Sequence, residues 1–204
     1  MFHRIGLMVP VACLALVACS SAKPPVNEEP SALPGQTKGV APAASLSSDT
    51  ASVRSFVQGF YDWYLPIVNK GGTGTSRVLQ ERDSLLTTEL AVALRADFLA
   101  EEQADPGETV GLNFDPFLNS QDPCPRRWEV IGILQKGSNY AVTVHPVCAS
   151  ASHELDVVAE VTKQGPSWRF VNFFYGDTDL RKLLCQYATK AGNSAWQKAS
   201  CSTP

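Results

Sequence analysis

The apolar residues of this chain change their spacing once, between residues 104 and 128, and that change limits the fold more than any single motif does. Before it the period is helical. Val53, Phe56, Val57, Phe60, Tyr61, Tyr64 and Ile67 fall on one face of a helix. Ser48 or Asp49 is positioned to cap its start, and Pro66 should kink or end it. Asn69-Lys70-Gly71-Gly72-Thr73-Gly74 then stops the pattern. A second helical stripe runs through Leu86, Leu90, Ala93, Leu94 and Phe98, with Asp97 at its edge, and ends near Gln103-Ala104 before Asp105-Pro106-Gly107.

After a polar loop over residues 105–125 the period is two. Strands are expected over Trp128–Gln135, Tyr140–Cys148, Glu154–Thr162 and Trp168–Tyr175. Leu155, Val157, Ala159 and Val161 share one face of the third. The fourth carries aromatics on both faces (Trp168, Phe170 and Phe174; Val171, Phe173 and Tyr175), which predicts a central, well-covered strand. A short helix over Thr178–Lys190 follows, with Leu180, Leu183, Leu184 and Tyr187 on its apolar face. Helices followed by a meander define an α+β class: N-terminal helices packed on a four-stranded antiparallel curved sheet, with a short C-terminal helix.

The turn Lys136-Gly137-Ser138-Asn139 sets a register in which residue i faces about 275 − i. Cys148 then lies across from about residue 127, close to Cys124. Four cysteines beyond residue 19 (Cys124, Cys148, Cys185 and Cys201) allow three pairings. The favoured one is Cys124–Cys148 with Cys185–Cys201, the second tying the last helix to a C-terminal tail. Zinc is the competing reading, but no Cys-x-x-Cys or Cys/His spacing supports it.

The amino terminus supplies the compartment. Arg4 precedes an uncharged run, Ile5–Ala18, with the length of a signal-peptide core. Its ending, Leu16-Val17-Ala18-Cys19, resembles the bacterial lipobox. That resemblance implies cleavage before Cys19 and lipidation of Cys19, with Ser20 in place of an inner-membrane retention aspartate. The expected location is the outer membrane, periplasm-facing, held by the lipid anchor at Cys19. Several acyl chains, at roughly 0.8 kcal/mol per buried methylene, exceed what stable anchoring needs. Residues 1–18 are thus read as the signal peptide and 19–50 as lipidated cysteine plus tether. Residues 51–190 are read as one domain and 191–204 as a disulfide-tied tail. The tether is rich in Ser, Ala, Pro and Gly; about 30 flexible residues reach roughly 30 Å.

Phe60-Tyr61-Asp62-Trp63-Tyr64-Leu65 resembles the first-helix signature of the YbjP-like family of bacterial envelope lipoproteins, whose function is uncharacterised. Asp115-Pro116-Phe117-Leu118-Asn119-Ser120-Gln121-Asp122, followed by Trp128, resembles that family's second motif, and Trp168-x-Phe170-x-x-Phe173 its last strand. The resemblance spans residues 52–187. It implies an NTF2-like or cystatin-like domain and brings no catalytic residues with it. Some similar domains look like immunity proteins against secreted antibacterial toxins, others like accessories of outer-membrane machines.

Chemistry is sparse in the sequence. Of His145 and His153, the first lies opposite Tyr140, Val142 and Val144 on its strand and the second in a turn; neither has a nearby nucleophile. No P-loop, Gly-x-Ser-x-Gly or His-Glu-x-x-His occurs. Asp115 and Asp122 form the best polar constellation, but they lack the spacing of a calcium loop, and Asp115 before Pro116 suits a turn. No metal or cofactor is expected. The net charge of −3, without a basic patch, argues against nucleic acid. The favoured function is a non-catalytic protein-binding module, in its sharpest form an immunity protein that neutralises a secreted toxin. The alternatives are an accessory of an outer-membrane complex and a small-molecule or enzymatic cavity between helix and sheet. Candidate partner-binding residues are Trp63, which falls off the apolar helix face, and Asp115, Phe117, Gln121 and Asp122 of the long loop. The Gly71–Gly74 segment is a further candidate surface.

Overall fold

A computed structural model describes residues 43–72, 74–121, 127–148 and 156–201. The signal segment, Cys19, most of the tether, Thr73, Asp122, Cys124, His153 and Leu155 lie outside the described residues. The elements run α1 (Ala43–Val68), α2 (Gly74–Glu81), a 3-10 turn (Asp83–Leu85), α3 (Thr88–Glu102), β1 (Arg127–Lys136), β2 (Asn139–Val147), β3 (Val157–Gln164), β4 (Ser167–Tyr175), β5 (Thr178–Asp179), α4 (Leu180–Ala191) and α5 (Ser194–Ser200). The sheet is an antiparallel meander in the order β1-β2-β3-β4-β5. The α+β class therefore holds, with five strands among the described residues rather than four. The added strand is the two-residue β5, which takes the start of the expected last helix. Asp179 then caps α4, its side chain accepting from the Lys182 N–H at 3.0 Å.

The helix α1 begins at Ala43, well before Ser48 and Asp49. Ala43, Ala44 and Leu46 are strong helix formers, and no Gly or Pro separates them from the amphipathic stretch. Freed from capping, Asp49 pairs with Lys163 at 2.7 Å. Pro66 lies inside the helix, which closes two residues later at Val68; Gly71, at φ 75°, turns the chain away with its N–H on the Val68 carbonyl. Val53, Val57, Phe60, Tyr61, Tyr64 and Leu65 are buried against the sheet. In α3 the Thr87 hydroxyl caps the Leu90 N–H.

The hairpin register follows the turn: Lys136 faces Asn139, and Ile133 faces Val142. A bulge at Ile131 shifts it by one residue, so Val130 faces Val144 and Trp128 faces Pro146. On β3, Val157, Ala159 and Val161 all face the core. A second bulge corrects the reading of β4. Val161 faces Phe170 while Glu160 faces Asn172, so Val171 is the extra residue. The alternation therefore resets, and Trp168, Phe170, Phe173 and Tyr175 all turn inward, with Phe174 only half-buried on the other side. The strand is not central either. Past the short β5 its edge is covered by the start of α3: Thr87 N–H donates to the Phe170 carbonyl, and Arg169 Nη1 to the carbonyls of Ser84 and Leu86.

The expected tail is the helix α5, packed on α3 and α4. Asn193 caps it, and the Cys185–Cys201 disulfide joins it to α4 as expected. Closing a loop of this size contributes about 3 kcal/mol. Cys148 is also disulfide-bonded. Among the described residues no helix is long and apolar enough to cross a membrane.

Candidate functional site

The loop between α3 and β1 is built downward into the core and upward to solvent. The Asp115 carboxylate is its pin. It accepts the Tyr64 hydroxyl at 2.6 Å through Oδ2, and the backbone N–H groups of Phe117 and Leu118 at 2.9 and 3.2 Å through Oδ1. The Tyr61 hydroxyl donates to the Phe117 carbonyl at 2.9 Å, and the Tyr175 hydroxyl to the Pro116 carbonyl. Three phenols, from α1 and β4, thus bind one turn, which Asp115 and Ser120 close by a backbone bridge. Burial holds all three phenols well above their usual pKa, with the Asp115 charge adding to the rise. They stay neutral and act as hydrogen-bond donors. Burial raises the Asp115 carboxyl to about 6, against the lowering effect of the bonds it accepts.

Of the residues expected to meet a partner, two are turned inward. Phe117 is fully buried, its ring 5.3 Å from Phe60, 5.2 Å from Tyr64 and 5.1 Å from Phe173. Asp115 spends its oxygens on the turn beneath. An aspartate and an aromatic in a loop read as contact residues; the tyrosines that hold this turn stand 51 or more positions away in sequence. Trp63 is half-buried, packed on Phe60 and Tyr64 at 6.2 Å, with the Arg82 guanidinium 4.8 Å above its ring. It anchors the end of α2 rather than standing free. Gln121 is exposed, and Asp122 lies outside the described residues. His145 is exposed and pairs with Asp156 at 2.6 Å.

The space where a cavity between α1 and the sheet would lie is filled. Phe60 packs against Phe170 at 4.9 Å, Phe170 against Phe173 at 5.1 Å, and Tyr61 stacks on Trp128 at 5.7 Å. Among the described residues, open space lies outside this interior. A cleft of about 610 Å³ separates residues 108–111 and Asn113 of the loop from Tyr187, Lys190, Ala191 and Trp196 of α4 and α5. Its loop wall is held from behind by Asp97, only 5% exposed, whose Oδ2 accepts the Leu112 N–H at 3.3 Å. Gly111, at φ 80°, must be glycine: a Cβ there would lie 2.7 Å from Asp97 Oδ1. Asp97 thus belongs to the packed face of α3, not to its edge. Among the described residues no cluster of His, Cys, Asp and Glu could hold a metal ion.

Burial raises the Asp97 carboxyl to about 6; the Leu112 N–H lowers it and the Glu101 charge adds to the rise. A folded-state pKa above the unfolded value means stability is greatest below about pH 4 and is lost as pH rises through 6. Asp97→Asn is expected to remove a contribution of roughly 2–3 kcal/mol from that slope. Urea denaturation of both proteins from pH 4 to 7.5 measures it. Parallel pH profiles would show that the charge is not what titrates.

No protein-family model, curated protein or solved structure matches this chain. The fold and the site define a class only: a small α+β domain with an aromatic-packed interior and a pinned loop beside an open cleft.

Proposed function

We propose that the chain is an outer-membrane lipoprotein of the YbjP-like kind, an NTF2-like or cystatin-like domain that binds protein without catalysis. Its sharpest form is an immunity protein that neutralises a secreted antibacterial toxin in the periplasm. One observation carries the reading: Asp115 and three tyrosines fix the long loop from below, leaving Glu108, Thr109 and Asn113 exposed beside the cleft of Tyr187 and Lys190, and Gln121 exposed at the loop's other end. A pre-ordered loop loses little conformational entropy when a partner docks. The packed interior favours this over a small-molecule cavity, whose volume the aromatic rings occupy.

The test is competition between siblings. A deletion strain mixed with its parent is expected to lose fitness only while the parent secretes toxin. The wild-type gene should restore resistance. Lys190→Glu should fail to restore it, although the protein folds, because Lys190 is exposed on the cleft. Cys19→Ser should fold yet be mislocalised. A deletion strain that resists its parent fully sinks the immunity reading, and crosslinking to a resident outer-membrane protein would put the accessory reading in its place.

A further inference from the structure

Among the described residues, the edge strand β1 is sealed along one half and open along the other. In its sealed half the helix α1 stands in for a missing strand. Gln58 donates to the Trp128 carbonyl at 2.8 Å and accepts the Val130 N–H at 3.0 Å, and Arg54 donates to the Val130 carbonyl at 2.5 Å. A strand neighbour would make the same bonds.

The seal ends at the bulge. From Gly132 to Lys136 the ladder to β2 runs without a break into a two-residue turn. Antiparallel alternation makes Lys136, Leu134 and Gly132 the residues bonded to β2, so the N–H and C=O groups of Ile133 and Gln135 point out of the sheet. The same stretch carries Leu134, 61% exposed, and Ile131, 55% exposed, the most exposed large apolar side chains among the described residues. A paired but unsealed apolar edge is a template for another strand.

We propose that this edge pairs with the same segment of a second copy, antiparallel about a twofold axis at Leu134, joining two sheets into one. Self-complementarity points to a copy rather than a foreign strand. In this register Ile133 of each chain exchanges backbone hydrogen bonds with Gln135 of the other. The two Leu134 side chains meet at a non-hydrogen-bonded pair, where strands bring side chains closest. Lys136 of each copy falls opposite Gly132 of the other, where no side chain obstructs it. Its methylenes can then cover Ile131 while the ammonium reaches toward Glu129, whose exposed pair with Arg127 at 2.7 Å leaves a second carboxylate oxygen to share, giving two opposite-charge contacts from one symmetric surface. In this register Val130 falls opposite Ser138 of the second copy, where that chain turns away into its own β2, so no strand of the copy runs alongside Trp128–Val130 and Gln58 and Arg54 keep their bonds.

The full-length chain carrying Leu134→Cys tests the pairing under mild oxidation, read on a non-reducing gel. A disulfide-linked homodimer is expected in high yield, because facing residues at such a pair lie within disulfide reach. Val92→Cys, exposed on α3 away from this edge, is the collision control and should yield little dimer. Lys136→Glu should lower the Leu134→Cys yield severalfold, and adding Glu129→Lys should restore it. Because an added cysteine can disturb the native disulfides, sedimentation supplies a second readout: wild type should run as a dimer and Leu134→Glu as a monomer. Equal crosslinking at residues 92 and 134 would overturn the proposal. So would a monomeric wild type, or a Leu134→Cys crosslink in cells to a different protein.

Discussion

Asp115→Ala is expected to destabilise the domain by about 4 kcal/mol, because three donors lose their acceptor at once. The Tyr64 hydroxyl and the N–H groups of Phe117 and Leu118 would be left unpaired in surroundings that admit little water. Each lost bond to a charged group costs roughly 1.5–3 kcal/mol, and neighbouring losses do not add fully. For a chain of this length the melting temperature should fall by roughly 10 °C. Asp115→Asn separates the hydrogen bonds from the charge. Its amide oxygen can still accept from Phe117 and Leu118, so its cost should be well below that of alanine. It should also lose a pH dependence. The Asp115 carboxyl is raised to about 6, so its ionisation opposes folding as pH rises from about 4 through 6. Thermal melts at pH 4.5 and 7.5 measure both effects. Equal melting temperatures for the alanine variant and wild type would mean that the turn holds itself.

Gly74→Ala should be nearly as damaging, although alanine is the better helix former and Gly74 starts α2. A Cβ there would lie 2.5 Å from Tyr64 Cζ and 2.8 Å from Cε2, and closer still to the hydroxyl. The ring cannot retreat. It is fully buried, stacked on Phe60 at 5.2 Å and edge-on to Phe117 at 5.2 Å, with its hydroxyl committed to Asp115. The expected cost is at the upper end for overpacking, roughly 3 kcal/mol. Tyr64→Phe in the same chain should recover part of it by removing the clashing oxygen, at the expense of the Asp115 bond. A Gly74→Ala protein as stable as wild type would mean that α2 is free to shift away from α1.

These two sites show where sequence reading stops. Asp115 before Pro116 reads as a turn residue, and it is one. The reason it cannot be replaced lies in Tyr64, 51 positions earlier. Gly74 reads as part of a helix stop, Gly71-Gly72-Thr73-Gly74, and only the packing of Tyr64 beside it explains the absence of a side chain. Phe117 has the composition of a contact residue and the position of a core residue. Asp97 reads as a break at the edge of a helical stripe; it becomes the buried backing of the cleft wall only when Gly111 and Leu112 fold over it. Arg54 and Gln58 carry no signal in the sequence beyond being polar on a helix, yet they seal half of an edge strand up to 76 positions away.

Period, turn chemistry and cysteine spacing are local quantities, and the sequence by itself determined what depends on them. They specify the buried stripe of α1, the Lys136–Asn139 hairpin with its register, the inward face of β3, the α+β order and the Cys185–Cys201 bridge. Tertiary structure decided what depends on closing the sheet against the helices. The bulges at Ile131 of β1 and Val171 of β4 reset which side chains turn inward, so Trp168, Phe170, Phe173 and Tyr175 gather on one face of β4. The same closure fills the interior with rings, turns Asp115 and Phe117 away from solvent, and leaves the far half of β1 beyond the reach of Gln58. A period of two predicts which residues alternate, but one inserted residue reverses every face after it.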